Sequence, residues 1–215
     1  RLIHELPSAR GCTYVLPSAD YRLALSLAGH VYAKGNETRV IRELGIQSSE
    51  LDRLERAVLD ALKDGPLDVN GIKAAAGDAV RNLGAEGKKR GVTTTLALAL
   101  QPLQLAGRIR RIPSNGRFDT QTYRYALWHD SPTADGAIPP EEAATELARK
   151  FFRWTGPATV AHFKWFSGLG VKAAKEAMDR AGLEPVPDLP DHWIRSEELN
   201  EWLIWSPPSE PSYRL

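Results

Sequence analysis

The side chains with the clearest chemical potential gather in one stretch. Between Arg81 and Arg124 stand nine cations: Arg81, Lys88, Lys89, Arg90, Arg108, Arg110, Arg111, Arg117 and Arg124. Only Glu86 and Asp119 oppose them. The net charge of the whole chain is +1, because carboxylates collect at residues 50–68 and 141–146. A local surplus of cations is the footprint of a polyanion, since neutralising phosphates releases their condensed counterions. Thr93, Thr94 and Thr95 follow the first basic cluster, and hydroxyls hydrogen-bond phosphates or base edges. Asn115 and Arg117 flank a glycine in a turn. The set expected to meet double-stranded DNA is therefore Lys88, Lys89, Arg90, Thr93, Thr94, Thr95, Arg108, Arg110, Arg111, Asn115 and Arg117. The competing reading is a solvated basic face, or one that meets an acidic protein.

Other chemistries find little support. The histidines His4, His30, His129, His162 and His192 are scattered, and Cys12 has no second thiol. No pair of them has metal-ligand spacing, so neither a metal nor a cofactor is expected. There is no nucleophile elbow, phosphate loop or dinucleotide fingerprint. Carboxylates are plentiful, but spacing pairs no two of them as acid and base. No catalytic residue is assigned. The aromatic cluster Phe151, Phe152, Trp154, Phe163, Trp165 and Phe166 could stack bases. Its helical spacing assigns it to a core instead, with Phe151, Phe163, Trp165 and Phe166 buried and Lys164 turned outward.

The elements that must position these residues follow from periodicity and punctuation. Residues 1–45 read as the C-terminal part of a unit: a strand at Thr13–Leu16, helix-start chemistry at Pro17–Asp20, a helix that Gly29 could stop, and a loop at Lys34–Glu37. A second unit spans 46–130. Leu51, Leu54, Val58 and Leu62 recur at spacings of 3, 4 and 4, an amphipathic helix capped by Ser48 or Ser49. Asp68 caps a short second helix. After a loop rich in glycine and lysine, a third helix starts at Thr93 and carries Pro102, which should kink or shorten it. Two strands, Arg108–Ile112 and Tyr123–Trp128, flank an Asn-Gly turn signal. Residues 131–140 are a linker by composition. In 141–215 the order recurs: a helix face with Leu147 and Phe151, a short helix capped by Thr159, a third helix closed by Gly182, and strand candidates at Trp193–Ile194 and Trp202–Trp205. Helix, helix, helix, hairpin is the order of a winged helix. The expected fold class is mainly α with small β-hairpins (α+β), in tandem winged-helix units.

At 215 residues, with 42% hydrophobic and 26% charged residues, the composition is that of an ordinary soluble protein. No apolar run reaches the roughly 20 residues of a membrane helix, so no membrane partner is expected. The single cysteine fits a reducing compartment and a cytoplasmic location. The chain opens inside a hydrophobic pattern (Leu2, Ile3, Leu6) and reads as a piece of a longer protein.

Three stretches carry a family resemblance: Arg10 to Pro17 (RGCTYVLP), Gly84 to Gly91 (GAEGKKRG) with Thr93–Thr95, and Arg153 to Thr159 (RWTGPAT) running into Phe163 to Leu169 (FKWFSGL). They resemble the bacterial winged-helix family of AlkZ- and YcaQ-type DNA glycosylases, the last stretch most specifically. The resemblance implies tandem winged helices, DNA repair, and excision of alkylated or crosslinked bases by hydrolysis of the N-glycosidic bond. It also implies a catalytic Gln-x-Gln or Gln-x-Asp ahead of the stretch present here. The glutamines of this sequence are Gln47, Gln101, Gln104 and Gln121, and none has Gln or Asp two residues on. His162 departs from the family pattern, which has an acidic residue there. A non-catalytic DNA binder or regulator, and a protein-binding scaffold, are the alternatives.

Overall fold

The computed structural model describes residues 3–35, 37–117 and 122–206. Sequence readings that involve Asn36, Asp119, Gln121 and the tail beyond residue 206 lie outside the described residues. The chain divides into two compact units, Arg1–Pro140 and Glu141–Leu215. The described residues are mostly helical, with two two-stranded sheets and one three-stranded sheet, all antiparallel.

The first unit opens with a hairpin. Strand β1 (Ile3–Pro7) pairs with β2 (Thr13–Pro17) in the register Ile3↔Pro17. Helix α1 (Tyr21–Ala33) follows and buries Tyr21 and every residue from Leu23 to Ala28. It runs straight through Gly29, where a stop was expected. The chain at Gly29 keeps helical geometry, and a glycine ends a helix only where it takes the left-handed conformation. A short helix α2 (Glu37–Glu43) begins at the end of the expected loop.

The centre of this unit is built on α3 (Ser48–Ala61), whose Leu54 and Val58 are fully buried together with Leu62 beyond its end. Gln47, not Ser48 or Ser49, precedes the helix, and no side chain caps it. Helix α4 (Val69–Ala76) is capped as expected: Asp68 Oδ1 accepts from the Gly71 amide at 2.7 Å. The glycine- and lysine-rich stretch expected as a loop is helix α5 (Gly84–Lys89). Gly87 makes it possible, since a Cβ there would lie 2.3 Å from both Leu83 Cβ and the Val92 carbonyl oxygen.

Helix α6 (Leu96–Leu105) starts at Leu96 and not at Thr93. The threonines before it are held by backbone pairing instead: Thr94 bridges Asn82, and the Thr95 amide donates to Arg81 O at 3.0 Å. Pro102 is accommodated within α6. Strand β3 (Ile109–Pro113) then pairs with β4 (Tyr123–Leu127), Ile109 opposite Leu127. Leu67 joins the free edge of β4 by two backbone bonds with Tyr125, of 3.0 and 2.7 Å. One core cluster unites Leu54, Val58, Ile72, Leu96, Leu103, Ile109 and Tyr125. The segment expected as a linker is tied down: the Ile138 amide donates to Ser26 Oγ, Thr133 Oγ1 donates to Ala106 O, and Arg22 donates to the carbonyls of Asp135 and Gly136.

In the second unit α7 (Pro140–Thr155) buries Ala144, Leu147, Ala148, Phe151 and Phe152 along one face. Strand β5 (Ala158–Thr159), α8 (Val160–Ser167), α9 (Val171–Arg180), β6 (Leu183–Pro185), β7 (His192–Arg195) and α10 (Ser196–Ile204) follow. The sheet order is β5-β7-β6. Thr159 Oγ1 accepts from the His162 amide at 3.2 Å, and His162 Nδ1 accepts in return from the Thr159 amide at 3.4 Å. The imidazole thus does the work a carboxylate does in a capping box.

Two expectations in this unit are corrected. Trp202 to Ile204, expected as strand, form the last turn of α10. Four apolar residues are too few to separate the two periods, and Glu197 and Glu198 in the first turn favour a helix through its dipole. Trp165, expected in the core, is 72% exposed, and Trp154 is 57% exposed. Phe151, Phe152 and Phe163 are buried as expected, and Phe166 is half-buried. A helical step of about 100° per residue puts Trp165 across the helix from Phe163. Among the described residues no helix is long and apolar enough to cross a membrane.

Candidate nucleic-acid interface

The structure sorts the basic stretch by what each cation already touches. Lys89 reaches Glu86 at 2.6 Å, and Arg90 donates to Glu43 at 3.0 Å and to Glu86 at 3.1 Å. Both carboxylates are held below the ordinary range, Glu86 by Lys89 first and Glu43 by Arg39 first, each with Arg90 second. Lys89 and Arg90 are thus already paired within the protein. Arg81 is similarly paired with Glu50 at 2.8 Å. Lys88, Arg108 and Arg124 are exposed and form no ion pair within 4 Å among the described residues, although the Arg108 charge reaches Glu55 and opposes the rise that burial and Asp52 impose on its carboxyl. Arg117 is exposed at the hairpin tip, where its amide donates to Asn115 Oδ1 at 3.0 Å and Gly116 takes a φ of 73°.

Arg110 and Arg111 belong to the set expected to meet DNA. Both are half-buried, and the Nε of each is enclosed without a partner. Arg110 Nη1 lies 2.6 Å from His4 Nε2, and its guanidinium sits 6.0 Å from the centre of the Trp128 ring. Burial first, and the Arg110 charge second, push the His4 imidazole below the ordinary histidine range. It accordingly accepts the guanidinium N–H in its neutral form. Tyr21 and Trp128 complete this ring cluster around His4, with centroids 5.2 and 5.7 Å from it. Arg110 thus ties the hairpin β3–β4 to the first hairpin. Arg111 lies 4.4 Å above the Tyr123 ring.

The three threonines also separate. Thr95 is fully buried, and its Oγ1 accepts from the Arg81 amide at 3.0 Å, so it anchors the start of α6 and is closed to any ligand. Thr93 and Thr94 open onto a cleft of about 430 Å³. Gln101 and Gln104 of α6, Arg111, Tyr123 and Tyr125 of the hairpin, and Thr13 of the first hairpin share its walls. Gln104 is 4% exposed, and its Nε2 has no partner. Burial raises the Tyr125 hydroxyl above the ordinary tyrosine range, opposed by Arg111 beside it. The cleft thus sets hydroxyls, amides and a guanidinium beside an apolar floor that includes Val69, Leu96 and Leu100. Sequence reasoning passed over Gln101, Gln104, Tyr123 and Tyr125. Their signal was spacing: three residues apart on a helix and two apart on a strand each give one shared face.

Cys12 is exposed, and no cluster of three metal-ligating side chains occurs among the described residues. His162 and His192 do face one another, ring centroids 6.4 Å apart, but no third ligand joins them.

Comparison with known proteins yields two positive findings. A family model described as DNA glycosylase AlkZ-like matches residues 1–202. Among solved structures, Streptomyces sahachiroi DNA glycosylase AlkZ is similar with a TM-score of 0.64, at 20% sequence identity. That match covers 95% of this chain and 55% of that one, so the chain spans about half the length of the structure it resembles. At this identity the likeness is one of fold. No curated protein matches the chain.

Proposed function

Because the chain belongs to the AlkZ-like DNA glycosylase family, whose model spans residues 1–202, we propose that it is a DNA-repair protein that docks on double-stranded DNA through tandem winged-helix units. The observation that carries this reading is a repeated topology. In the first unit α3, the Leu67 bridge, α4, the short α5, α6 and the β3–β4 hairpin follow in that order, with Leu67 paired to β4. In the second, α7, β5, α8, α9 and the β6–β7 hairpin follow the same plan without a counterpart of α5, and β5 is paired to β7. Short strand beside the second hairpin strand, and three helices before the hairpin, is the plan of a winged helix. Four exposed cations of the basic stretch, Lys88, Arg108, Arg117 and Arg124, lie on α5 and on the hairpin segment. They supply the phosphate contacts in this reading.

The family's activity is excision of alkylated or crosslinked bases. An alkylated base is a cationic leaving group that departs readily, so the catalyst mainly positions a water and stabilises positive charge on the sugar. The sequence contains no Gln-x-Gln or Gln-x-Asp tripeptide, and no residue of it is assigned to that step. The role proposed for this stretch is to hold the duplex. Two measurements test this. The protein should bind duplex DNA with a steep salt dependence, and the full-length gene product should release base from an alkylated duplex. Salt-insensitive binding would remove the DNA reading in favour of a protein-binding scaffold. Binding without base release would leave a non-catalytic DNA binder.

A further inference from the structure

The cleft beside α6 holds more hydrogen-bond donors than the protein satisfies. Gln104 is 4% exposed, and its Nε2 is enclosed without a partner. Arg111 lines the same cleft, and its Nε is enclosed without a partner as well. A buried donor that lacks an acceptor costs free energy, which an incoming acceptor recovers. The hydroxyls of Thr13, Thr93 and Thr94 and the carboxamide of Gln101 border the same space. No Asp or Glu is among the described residues that line it. One guanidinium and no carboxylate give the cleft a positive field, which favours an anion rich in acceptors.

The apolar lining asks for more than a charge. Val69, Leu96 and Leu100 form the floor, and the rings of Tyr123 and Tyr125 share the walls, their centroids 5.6 Å apart at 84°. Arg111 is fixed before any ligand arrives: its guanidinium lies 4.4 Å from the centre of the Tyr123 ring, and it hydrogen-bonds with Tyr125, which is 4% exposed. A bare inorganic anion would leave the floor uncovered. An apolar molecule would leave the donors unpaired. The volume of about 430 Å³ is at the small end of the roughly 300–1,000 Å³ of ligand sites, room for one small molecule and not for a strand. A carboxamide sets a donor and an acceptor side by side, the pattern that pairs with the edge of a base. Gln101 and Gln104 are three residues apart on α6 and so share one helix face.

We propose that this cleft binds a single unpaired nucleotide, its phosphate on Arg111 and the threonine hydroxyls, its base over the apolar floor, and the Gln101 and Gln104 carboxamides on the base edge. A free nucleoside monophosphate and an unpaired residue of a DNA strand offer these same groups. A paired base does not, because its partner covers the edge and its neighbours cover the faces. The choice of a nucleotide over another amphipathic anion rests on the DNA-repair reading. The site itself uses none of Lys88, Arg108, Arg117 and Arg124, to which the duplex phosphate contacts are assigned, so each can fail without the other.

The test is calorimetry on the purified protein with deoxyadenosine monophosphate, and with deoxyadenosine and deoxyribose 5-phosphate as its two halves. The whole nucleotide should bind to saturation, and each half about tenfold more weakly or worse, because it leaves either the guanidinium or the floor unused. Gln104→Leu keeps a side chain of similar bulk and removes the amide. It should weaken nucleotide binding about tenfold while the urea midpoint stays level or rises, since a buried unpaired donor has gone. Arg111→Gln should weaken binding about tenfold or more and flatten its salt dependence. Two duplexes, one fully paired and one with a single unpaired deoxyadenosine, identify the source. Tighter binding of the second, lost in Gln104→Leu, points to the DNA strand. Equal binding of the two, beside binding of the monophosphate, points to the free nucleotide. No binding of the monophosphate together with equal binding of the two duplexes would overturn the proposal and leave duplex docking standing. So would unchanged nucleotide affinity in a folded Gln104→Leu variant.

Discussion

The partition of the basic stretch can be tested by salt. Lys88 and Arg108 are exposed and have no carboxylate within ion-pair distance among the described residues, whereas Lys89 and Arg90 share Glu86, and Arg90 also holds Glu43. A cation that meets a phosphate displaces about 0.9 of a counterion, so removing two such contacts should lower the slope of log affinity against log salt by about 1.8. Raising salt from about 50 to about 200 mM should then cost the wild type about 12-fold more affinity than it costs a K88Q/R108Q variant. The matched control is K89Q/R90Q. It removes the same formal charge, but from cations whose field is already offset by carboxylates, and its slope should fall by less than about one. Lys88 and Arg108 lie on the surface, so K88Q/R108Q should not shift the unfolding midpoint appreciably, whereas Arg90 is half-buried and ties Glu43 to Glu86, so the fold of K89Q/R90Q is checked by its urea midpoint. The assay is fluorescence anisotropy with a labelled duplex at four or more salt concentrations. A control variant that flattens the slope as much as K88Q/R108Q would refute the partition. A K88Q/R108Q variant with the wild-type slope would remove both residues from the interface.

Three further outcomes are expected. Phe163→Ala should cost about 3–5 kcal/mol in urea unfolding, because the ring is fully buried against Phe151 and Phe152; a loss under about 1 kcal/mol would mean that this core is not closed. Asp68→Ala should cost about 1 kcal/mol and Asp68→Asn much less, since either Asp or Asn can accept from the Gly71 amide; equal losses would assign the effect to charge and not to capping. The first hairpin should loosen in acid. His4 has a folded pKa below its unfolded one, so between about pH 7 and 5 the unfolded chain takes up more protons and stability falls with pH. His4→Gln keeps an acceptor for Arg110 and should lose this part of the pH dependence. Identical urea midpoints against pH in the two proteins would dismiss the His4–Arg110 clamp as a titrating contact.

Much of the architecture was legible because it rests on local rules. The spacing of Leu54, Val58 and Leu62 specifies a helix face whatever surrounds it. Asp68 and Thr159 cap their helices with side chains only a few residues away. The Asn-Gly signal fits the antiparallel pairing of β3 with β4, and glycine alone takes the left-handed conformation at Gly116 without strain. Tertiary structure decided the rest. Thr93–Thr95 read as a helix start, but pairing with Asn82 and Arg81 across the chain claims their backbone. Composition counted nine equivalent cations, yet Glu43, 47 residues away, claims Arg90, and His4, 106 residues away, claims Arg110. Charge is a property of sequence. Whether that charge is available to a phosphate depends on what folding places within 3 Å of it, and only the tertiary structure sets that distance.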